Sequence, residues 1–212
     1  MALPAESERE PGPDAAAAER AGAAARRLVV ALVNNAAHDV LLTRVADALE
    51  GLATELEPSA RTSRYDGHAP FQPGSFAADL VRSHPYLGRA NPVAPPLDFV
   101  RTADGVHATA TYDRRWEGPP GAVHGGALAG AFDLMLAAAA SAAEKLTMTG
   151  TLTVKYLRPT PLGVPVTYEA GLLEVRDRAV RTWGLATAEG QVTAEGEGVF
   201  VVVDREHFDS RR

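Results

Sequence analysis

The chain of 212 residues contains no cysteine. Disulfide bonds, thiol chemistry, and zinc or iron–sulfur sites held by cysteine are therefore excluded. The chain also has no excess of positive charge, since its net charge is −6 at pH 7. That balance gives no electrostatic footprint for nucleic acid or for an anionic membrane surface. What is present is an ordinary globular composition, with 46% hydrophobic and 23% charged residues.

The sequence also lacks the features of an export signal or a membrane span. Its first residues are polar and acidic, without the charged-then-apolar order of a signal peptide. The longest apolar run, from Gly125 to Ala143, is interrupted by Asp133 and so falls short of an uncharged span. We therefore expect a cytoplasmic protein with no membrane segment.

The N-terminal third divides into three stretches. Residues 1–22 are rich in alanine, glutamate and proline without periodicity, which predicts a disordered tail. Residues 23–57 predict a helical hairpin, with a first helix from about Ala23 to Val33 and a second capped by Asp39. The second helix has apolar residues at alternating spacings of three and four: Leu42, Val45, Leu49, Leu52 and Leu56. We expect the hairpin to pack on its own domain or on a partner subunit, and the alternative is a recognition helix for another protein.

Residues 58–96 are prolines, glycines and short polar runs. A loop this long in a compact domain is usually functional or a linker. It carries scattered large apolar residues, at Phe71, Phe76, Leu80, Tyr86 and Leu87. These side chains indicate that the stretch packs somewhere, and we expect a linker or a lid over a substrate site.

Residues 97–205 predict one α+β domain. Two strands come first, then a buried helix, then four strands in a meander. The predicted strands are Leu97–Thr102, Val106–Tyr112, Thr147–Leu157, Val164–Val175, Ala179–Ala188 and Gln191–Val203. In the third strand, Thr149 and three further hydroxyl or lysine residues are expected on one face and apolar residues on the other. This order predicts a helix on one face of an antiparallel sheet.

The central helix carries the chemistry. A Gly- and Pro-rich loop ends at His124, Gly125 and Gly126 and leads directly into an apolar helix. Asp133 is the only ionisable residue between Gly125 and Ala143, and a carboxylate in a buried helix is costly unless it is paired, hydrogen-bonded or functional. A satisfied core aspartate is the alternative to a functional one.

These residues resemble the hotdog-fold thioesterases, in the branch of PaaI-like acyl-CoA thioesterases. The shared features are the loop from Gly118 to Gly126, Asp133 on the helix, Thr149 in the next strand and the run from Tyr156 to Leu162. The resemblance implies a long helix wrapped by a curved antiparallel sheet, assembly into dimers and hydrolysis of acyl-CoA thioesters. Some relatives have an asparagine six residues before the histidine, where this chain has Gly118, so a role for that side chain does not carry over.

The resemblance implies that Asp133 acts as general base or nucleophile. Gly125 and Gly126 open the helix, where free N–H groups and the positive end of the helix dipole point, and we expect the N–H of Gly126 to be the main oxyanion donor. His124 has three open roles: assisting the oxyanion hole, binding substrate or fixing the loop. Thr149 is expected to hold the carboxylate or a water molecule.

Substrate contacts are expected from Gly125, Val123 and Arg158. The CoA phosphates have several candidate partners: Lys155, Arg158, Arg176, Arg178 and Arg181. No metal or redox cofactor is implied, and neither nucleic acid nor membrane is an expected partner.

Helix geometry predicts a shared site. Gly126 and Asp133 are seven residues apart, about 10 Å along a helix. A reacting carbonyl must lie about 3 Å from both the oxyanion donors and the base or its water. We therefore expect His124 to Gly126 from one chain to meet Asp133 and Thr149 from its neighbour, in a homodimer or a dimer of dimers.

Two other functions remain open at this stage. One is a non-catalytic acyl-CoA-binding module that keeps the pocket without turnover. The other is a hotdog dehydratase or hydratase, whose histidine–carboxylate pair fits the register of Asp133 less well. For a thioesterase, aryl, short-chain and medium-chain acyl groups are all open.

Overall fold

The computed structural model describes residues 13–63, 81–95, 97–102 and 104–204. Helix α1 spans Pro13–Val33, so it begins ten residues before the predicted start. Residues 13–22, predicted as disordered, are helical because alanine is the strongest helix former, proline suits the first helical position and Asp14 lies in the first turn. The rest of the predicted tail, residues 1–12, lies outside the described residues.

Helix α2 spans Asp39–Leu56 and is followed by a 3₁₀ turn at Glu57–Ser59. The predicted N-cap was wrong by one residue, since His38 occupies that position and makes no side-chain capping bond. Asp39 lies instead in the first turn, where its charge suits the helix dipole. None of the side chains of α2 is buried.

The remaining described elements form one antiparallel sheet and its central helix. The order along the chain is β1 Asp98–Thr102, β2 Gly105–Thr111, α3 Gly125–Ala140, β3 Thr147–Tyr156, β4 Pro165–Val175, β5 Ala179–Ala188 and β6 Gln191–Val202. In space the strands run β1-β2-β4-β5-β6-β3, with every neighbouring pair antiparallel. Strand β1 therefore forms one edge of the sheet and β3 forms the other.

The core lies between α3 and the sheet. Phe132, Met135 and Leu136 of α3 are fully buried and belong to the same cluster as Tyr168 of β4 and Phe200 of β6. Alternation in β2 is as predicted, because its apolar residues at even positions are buried. The predicted α+β arrangement, an apolar helix wrapped by an antiparallel sheet with an N-terminal helical extension, is confirmed.

One described helix, Gly125–Ala143 with its 3₁₀ end, is long and apolar enough to cross a membrane by length and composition. Half of that stretch is buried inside the protein. Its apolar side chains pack on the sheet, which is how the core helix of a globular domain satisfies the same test.

The segment 81–95 joins helix α1 to the domain. A Cβ atom on Gly22 of α1 would lie 2.7 Å from the backbone of Ala90, so the two backbones are in direct contact. Arg26 of α1 also donates a hydrogen bond of 2.9 Å to the carbonyl of Asn91. The predicted lid residues Phe71, Phe76 and Leu80 lie outside the described residues, and only Tyr86 and Leu87 of that set are seen.

Candidate active site

The start of helix α3 is closed by its own N-cap. His124 occupies the N-cap position, and its Nδ1 accepts a hydrogen bond of 2.9 Å from the backbone N–H of Gly126. A neutral imidazole that accepts at Nδ1 carries its proton on Nε2. His124 is exposed, so this Nε2–H is available as a donor at the mouth of the helix. Of the three roles left open for His124, the capping bond to Gly126 shows the one of fixing the loop against the helix start.

The peptide between Gly125 and Gly126 is held from both sides. Its carbonyl, on Gly125, accepts a hydrogen bond of 2.8 Å from the hydroxyl of Tyr156 at the end of β3. Its N–H, on Gly126, is the one bound by His124. The N–H predicted to bind the oxyanion is therefore already engaged, whereas that of Gly125 makes no hydrogen bond within the described part of the chain.

Gly118, where some relatives have asparagine, lies directly against the N-cap residue. A Cβ atom at this position would lie 2.8 Å from Cα of His124. The backbone N–H of His124 donates a bond of 2.7 Å to the carbonyl of Trp116, which holds the loop in this close approach. A side chain at 118 therefore needs a different loop conformation, which explains why this chain has glycine here.

Asp133 is half-buried on α3, and the hydroxyl of Thr149 donates a hydrogen bond of 2.9 Å to its Oδ1. The contact predicted between these two residues is therefore present within one protomer. Its second carboxylate oxygen, Oδ2, has no hydrogen bond among the described residues. Asp133 is thus oriented through one oxygen and leaves the other for a reactant.

A β-bulge aims Thr149 at the helix. The register of β3 against β6 shifts between Thr149 and Thr151, so Gly150 is the extra residue. Thr149 lies opposite the buried Phe200, on the helix side, whereas Thr151 lies opposite the half-buried Val199. The prediction that Thr149 shares a face with the later hydroxyl residues of β3 was wrong, because a bulge reverses the alternation at one point.

The two halves of the site do not meet within one protomer. One half is Asp133 with Thr149, near the start of β3, and the other is the helix start held by Tyr156, at its end. Thr149 and Tyr156 are seven residues apart, about 23 Å along a strand. Both halves therefore lie along the same edge strand, one at each end.

Tyr86 is a residue at this site that sequence reasoning did not assign. A methyl group on Gly130 of α3 would overlap the hydroxyl oxygen of Tyr86, so that hydroxyl occupies the place of a side chain one turn before Asp133. Burial, and next the charge of Asp133, raise the pKa of Tyr86. The only signal in the sequence was an aromatic residue within a proline- and glycine-rich stretch.

Two further tyrosines belong to the buried core against which α3 packs. The hydroxyls of Tyr112 and Tyr168 share a buried hydrogen bond of 2.6 Å. Burial raises the pKa of both groups well above the usual value for tyrosine. They therefore stay neutral across the physiological range and act as packing and hydrogen-bonding groups.

The predicted substrate contacts divide. Gly125 lies at the helix start, as expected, but the side chain of Val123 is 5% exposed and belongs to the core. Arg158 donates a hydrogen bond of 2.8 Å to the carbonyl of Val192, which uses part of its guanidinium. Of the other basic candidates, Arg176 and Arg181 contact acidic side chains, chiefly that of Glu174.

The family profile of the thioesterase superfamily matches residues 120–195. A solved protein described as a thioesterase superfamily protein is 34% identical, covers 87% of this chain and 94% of its own, and has a TM-score of 0.74. No curated protein matches the chain.

Two smaller solved proteins align with half of this chain. The PaaI protein from a phenylacetic acid degradation operon of E. coli is 19% identical, covers 50% of this chain and 82% of its own, and has a TM-score of 0.46. A Streptococcus mutans protein solved with acetyl CoA is 18% identical, covers 50% and 88%, and also has a TM-score of 0.46.

Proposed function

Because the chain belongs to the thioesterase superfamily, we propose that it hydrolyses an acyl-CoA thioester to the free acid and CoA. The observation that carries this proposal is the hydrogen bond from Thr149 to Asp133. It orients the one carboxylate of an otherwise apolar helix and leaves Oδ2 unengaged among the described residues. This arrangement suits a general base for hydrolysis, which needs a basic oxygen within hydrogen-bond reach of the water that it deprotonates.

In the proposed reaction, Asp133 takes a proton from a water molecule while the oxygen of that water attacks the thioester carbonyl carbon. The carbonyl π electrons move to oxygen and form an oxyanion. When the oxyanion collapses, the carbon–sulfur bond breaks and Asp133 returns its proton to the departing CoA thiolate, so that the products are a carboxylic acid and a thiol and Asp133 is again ionised. Direct attack by Asp133, which would give a mixed anhydride before hydrolysis, is the other form of the same chemistry.

We assign the main oxyanion contact to the backbone N–H of Gly125 rather than that of Gly126. The N–H of Gly126 is bound by His124, and using it would break the N-cap bond of the helix. The N–H of Gly125 stands at the positive end of the helix dipole and keeps its proton free among the described residues. The Nε2–H of His124 is a second candidate donor.

The proposed site is shared by two subunits that pair along β3. This strand is an edge of the described sheet, and Met148 and Tyr156 near its two ends are 51% and 53% exposed. An exposed edge strand of ten residues is a template for pairing with another strand. We infer that the partner is a second copy of this chain, because its own β3 has the same length and carries the same two half-sites.

The required symmetry axis follows from the positions of the half-sites. If two β3 strands pair antiparallel about a two-fold axis near Leu152 or Thr153, the Thr149 end of one strand lies beside the Tyr156 end of the other. Asp133 of one subunit then faces the helix start of its neighbour. This pairing gives two complete sites per dimer, each with a base and an oxyanion donor from different chains.

Activity is tested with a panel of aryl, short-chain and medium-chain acyl-CoAs, measuring release of free thiol. We expect turnover of at least one class by the wild type and almost none by Asp133→Asn. CoA-ester binding without thiol release would instead identify a non-catalytic binding module. Hydration or dehydration of an enoyl or hydroxyacyl ester would identify the third function.

The shared site is tested by disulfide crosslinking, because the chain has no native cysteine and each introduced thiol is the only one. Single variants Leu152→Cys and Thr153→Cys place a thiol at the two candidate axis positions, and we expect one of them to give a disulfide-linked dimer on mild oxidation. Val100→Cys on β1, the opposite edge, is the matched control and should remain uncrosslinked. If neither β3 variant crosslinks, the proposed pairing is wrong.

Mixing two inactive variants tests the division of labour. Asp133→Asn and Gly125→Val each damage a different half of the site, so each homodimer should be nearly inactive. In a mixed dimer one site carries both defects and the other carries neither, and we expect activity to return in part. Confirmed chain exchange without any recovery would mean that all reacting groups come from one subunit.

A further inference from the structure

Segment 81–95 brings a side chain to the site from outside the region that the family profile matches. Tyr86 is held there by its own backbone, because its N–H donates a hydrogen bond of 3.0 Å to Nδ1 of His84. The same segment is fixed further along, where Arg115 donates a bond of 2.9 Å to the carbonyl of Pro92. Tyr86 is therefore presented by an anchored segment.

The tyrosine ring meets α3 on the face that carries the proposed chemistry. Gly126, Gly130 and Asp133 follow one another at spacings of four and three, so they lie on one face of the helix. The hydroxyl of Tyr86 lies where a Cβ atom on Gly130 would be, in the middle of that face. A residue larger than glycine at 130 would displace the hydroxyl.

We propose that Tyr86 is a positioning residue of the active site, whose hydroxyl, seated over Gly130, donates a hydrogen bond to Oδ2 of Asp133 during catalysis. This inference rests on the proposed role of Asp133 as base. The carboxylate is then held from two sides, by Thr149 through Oδ1 and by Tyr86 through one lone pair of Oδ2, whose second lone pair remains for the attacking water.

Three observations support the donor role. The hydroxyl of Tyr86 makes no hydrogen bond within the described part of the chain, so its proton is not committed elsewhere. Its raised pKa, caused first by burial and next by Asp133, keeps that proton in place at physiological pH. Within the described part of the chain, Tyr112 and Tyr168 also interact with Tyr86, but their hydroxyls bind each other, and His84 meets its backbone N–H rather than its hydroxyl.

The position of the Tyr86 hydroxyl over Gly130 is tested by a thermal cycle, a double-mutant cycle in which Tm is measured and no turnover is needed. Alanine is a better helix former than glycine, so Gly130→Ala should raise Tm where nothing occupies the space. We expect Gly130→Ala to lower Tm in the wild type and to raise it, or leave it unchanged, in Tyr86→Ala. An equal effect in both backgrounds would show that Tyr86 is not seated on Gly130 and would overturn the proposal.

The positioning role is tested by Tyr86→Phe, which keeps the ring and removes only the hydroxyl. We expect kcat to fall about tenfold, KM to stay within about twofold and Tm to change little, because one hydrogen bond to a charged group is lost from the transition state. A packing role predicts unchanged kcat. Tyr168→Phe, assayed well below its Tm, is the matched control and should keep wild-type kcat.

The outcomes separate this inference from the proposed function. A wild type that hydrolyses no acyl-CoA overturns the proposed function, and with it the role of Tyr86 in catalysis. An active wild type with an equally active Tyr86→Phe leaves the function intact and overturns the positioning role alone. Loss of kcat in Tyr86→Phe together with the expected thermal cycle supports both.

Discussion

Helices α2 and α3 have similar lengths and both carry apolar residues, yet they occupy opposite surroundings. Phe132, Met135 and Leu136 of α3 are completely buried against the sheet. On α2 no side chain is buried, and Leu49 and Leu52 are 37% and 56% exposed. An apolar periodicity therefore identifies a helix, whereas what covers its apolar face depends on the rest of the chain.

The two helices of the N-terminal extension also differ from each other in their contacts with the domain. Helix α1 is attached to the domain through Gly22 and Arg26, which contact the segment 81–95. That segment carries Tyr86 to the site, so α1 supports the site indirectly. Helix α2 has no comparable contact among the described residues. The N-terminal extension therefore has one helix that contacts the domain through segment 81–95 and one that does not.

The largest difference is expected in turnover. Asp133→Asn should lower kcat by about 10²–10⁴-fold, the usual contribution of a general base, and should leave the fold intact because asparagine also accepts from Thr149. Asp47→Asn, on the exposed surface of α2, is the matched control and should retain full activity. Initial rates measured beside melting curves check both. Near-normal turnover in Asp133→Asn would remove this residue from the mechanism.

The next difference is in stability. Phe132→Ala empties a fully buried site and should cost about 3–5 kcal/mol in the free energy of unfolding. Leu49→Ala on α2 should stay within about 0.5 kcal/mol, as surface substitutions usually do. Denaturant unfolding of the two variants measures both effects. A large cost for Leu49→Ala would show that α2 is covered in solution by another surface.

The same glycine-to-alanine substitution should have opposite signs in the two helices of the extension. Gly22→Ala puts a Cβ atom 2.7 Å from the backbone of Ala90 and should cost about 1–3 kcal/mol as overpacking. Gly51→Ala on α2 meets no atom within 4 Å and should stabilise its helix by about 0.8–1 kcal/mol. Thermal melts of both variants are sufficient. Equal effects would mean that α1 is no more firmly attached than α2.

The smallest difference concerns alkaline pH. The buried pair Tyr112 and Tyr168 has folded-state pKa values above those of the unfolded chain, so its stabilising contribution is complete below about pH 10 and is lost as pH rises. Each tyrosine contributes a slope of up to about 1.4 kcal/mol per pH unit. Tyr168→Phe should reduce that slope, as denaturant titrations between pH 9 and 11 would show. An unchanged slope would assign alkaline unfolding to other groups.

Much of the fold follows from local sequence patterns. The six strands were predicted to within a residue or so at each end, because alternation and turn residues such as Glu189 and Gly190 mark them clearly. The start of α3 at Gly125 was also readable, since a Gly- and Pro-rich loop meets an apolar run. The missed start of α1 has a different cause, because alanine-rich sequence is common to helices and disordered tails.

The details of the site depended on tertiary structure. The contact between Thr149 and Asp133 was predictable, but the bulge at Gly150 that produces it arises from pairing with β6. The engagement of the Gly126 N–H depends on the rotamer of His124. The place of Tyr86 depends on a segment whose path has no periodic pattern, so only three-dimensional coordinates reveal it.

The position of β3 in the sheet has a kinetic consequence. Strands β4, β5 and β6 are joined by short hairpins, whereas β3 precedes them in the chain and pairs with the last of them. Contacts that close long loops form later than local hairpins. We therefore expect the meander to assemble first and β3 to close last. Since β3 carries contacts to both halves of the proposed site and is the strand along which we propose that subunits pair, the site can form only after β3 has closed, and we expect activity to return no earlier than that step.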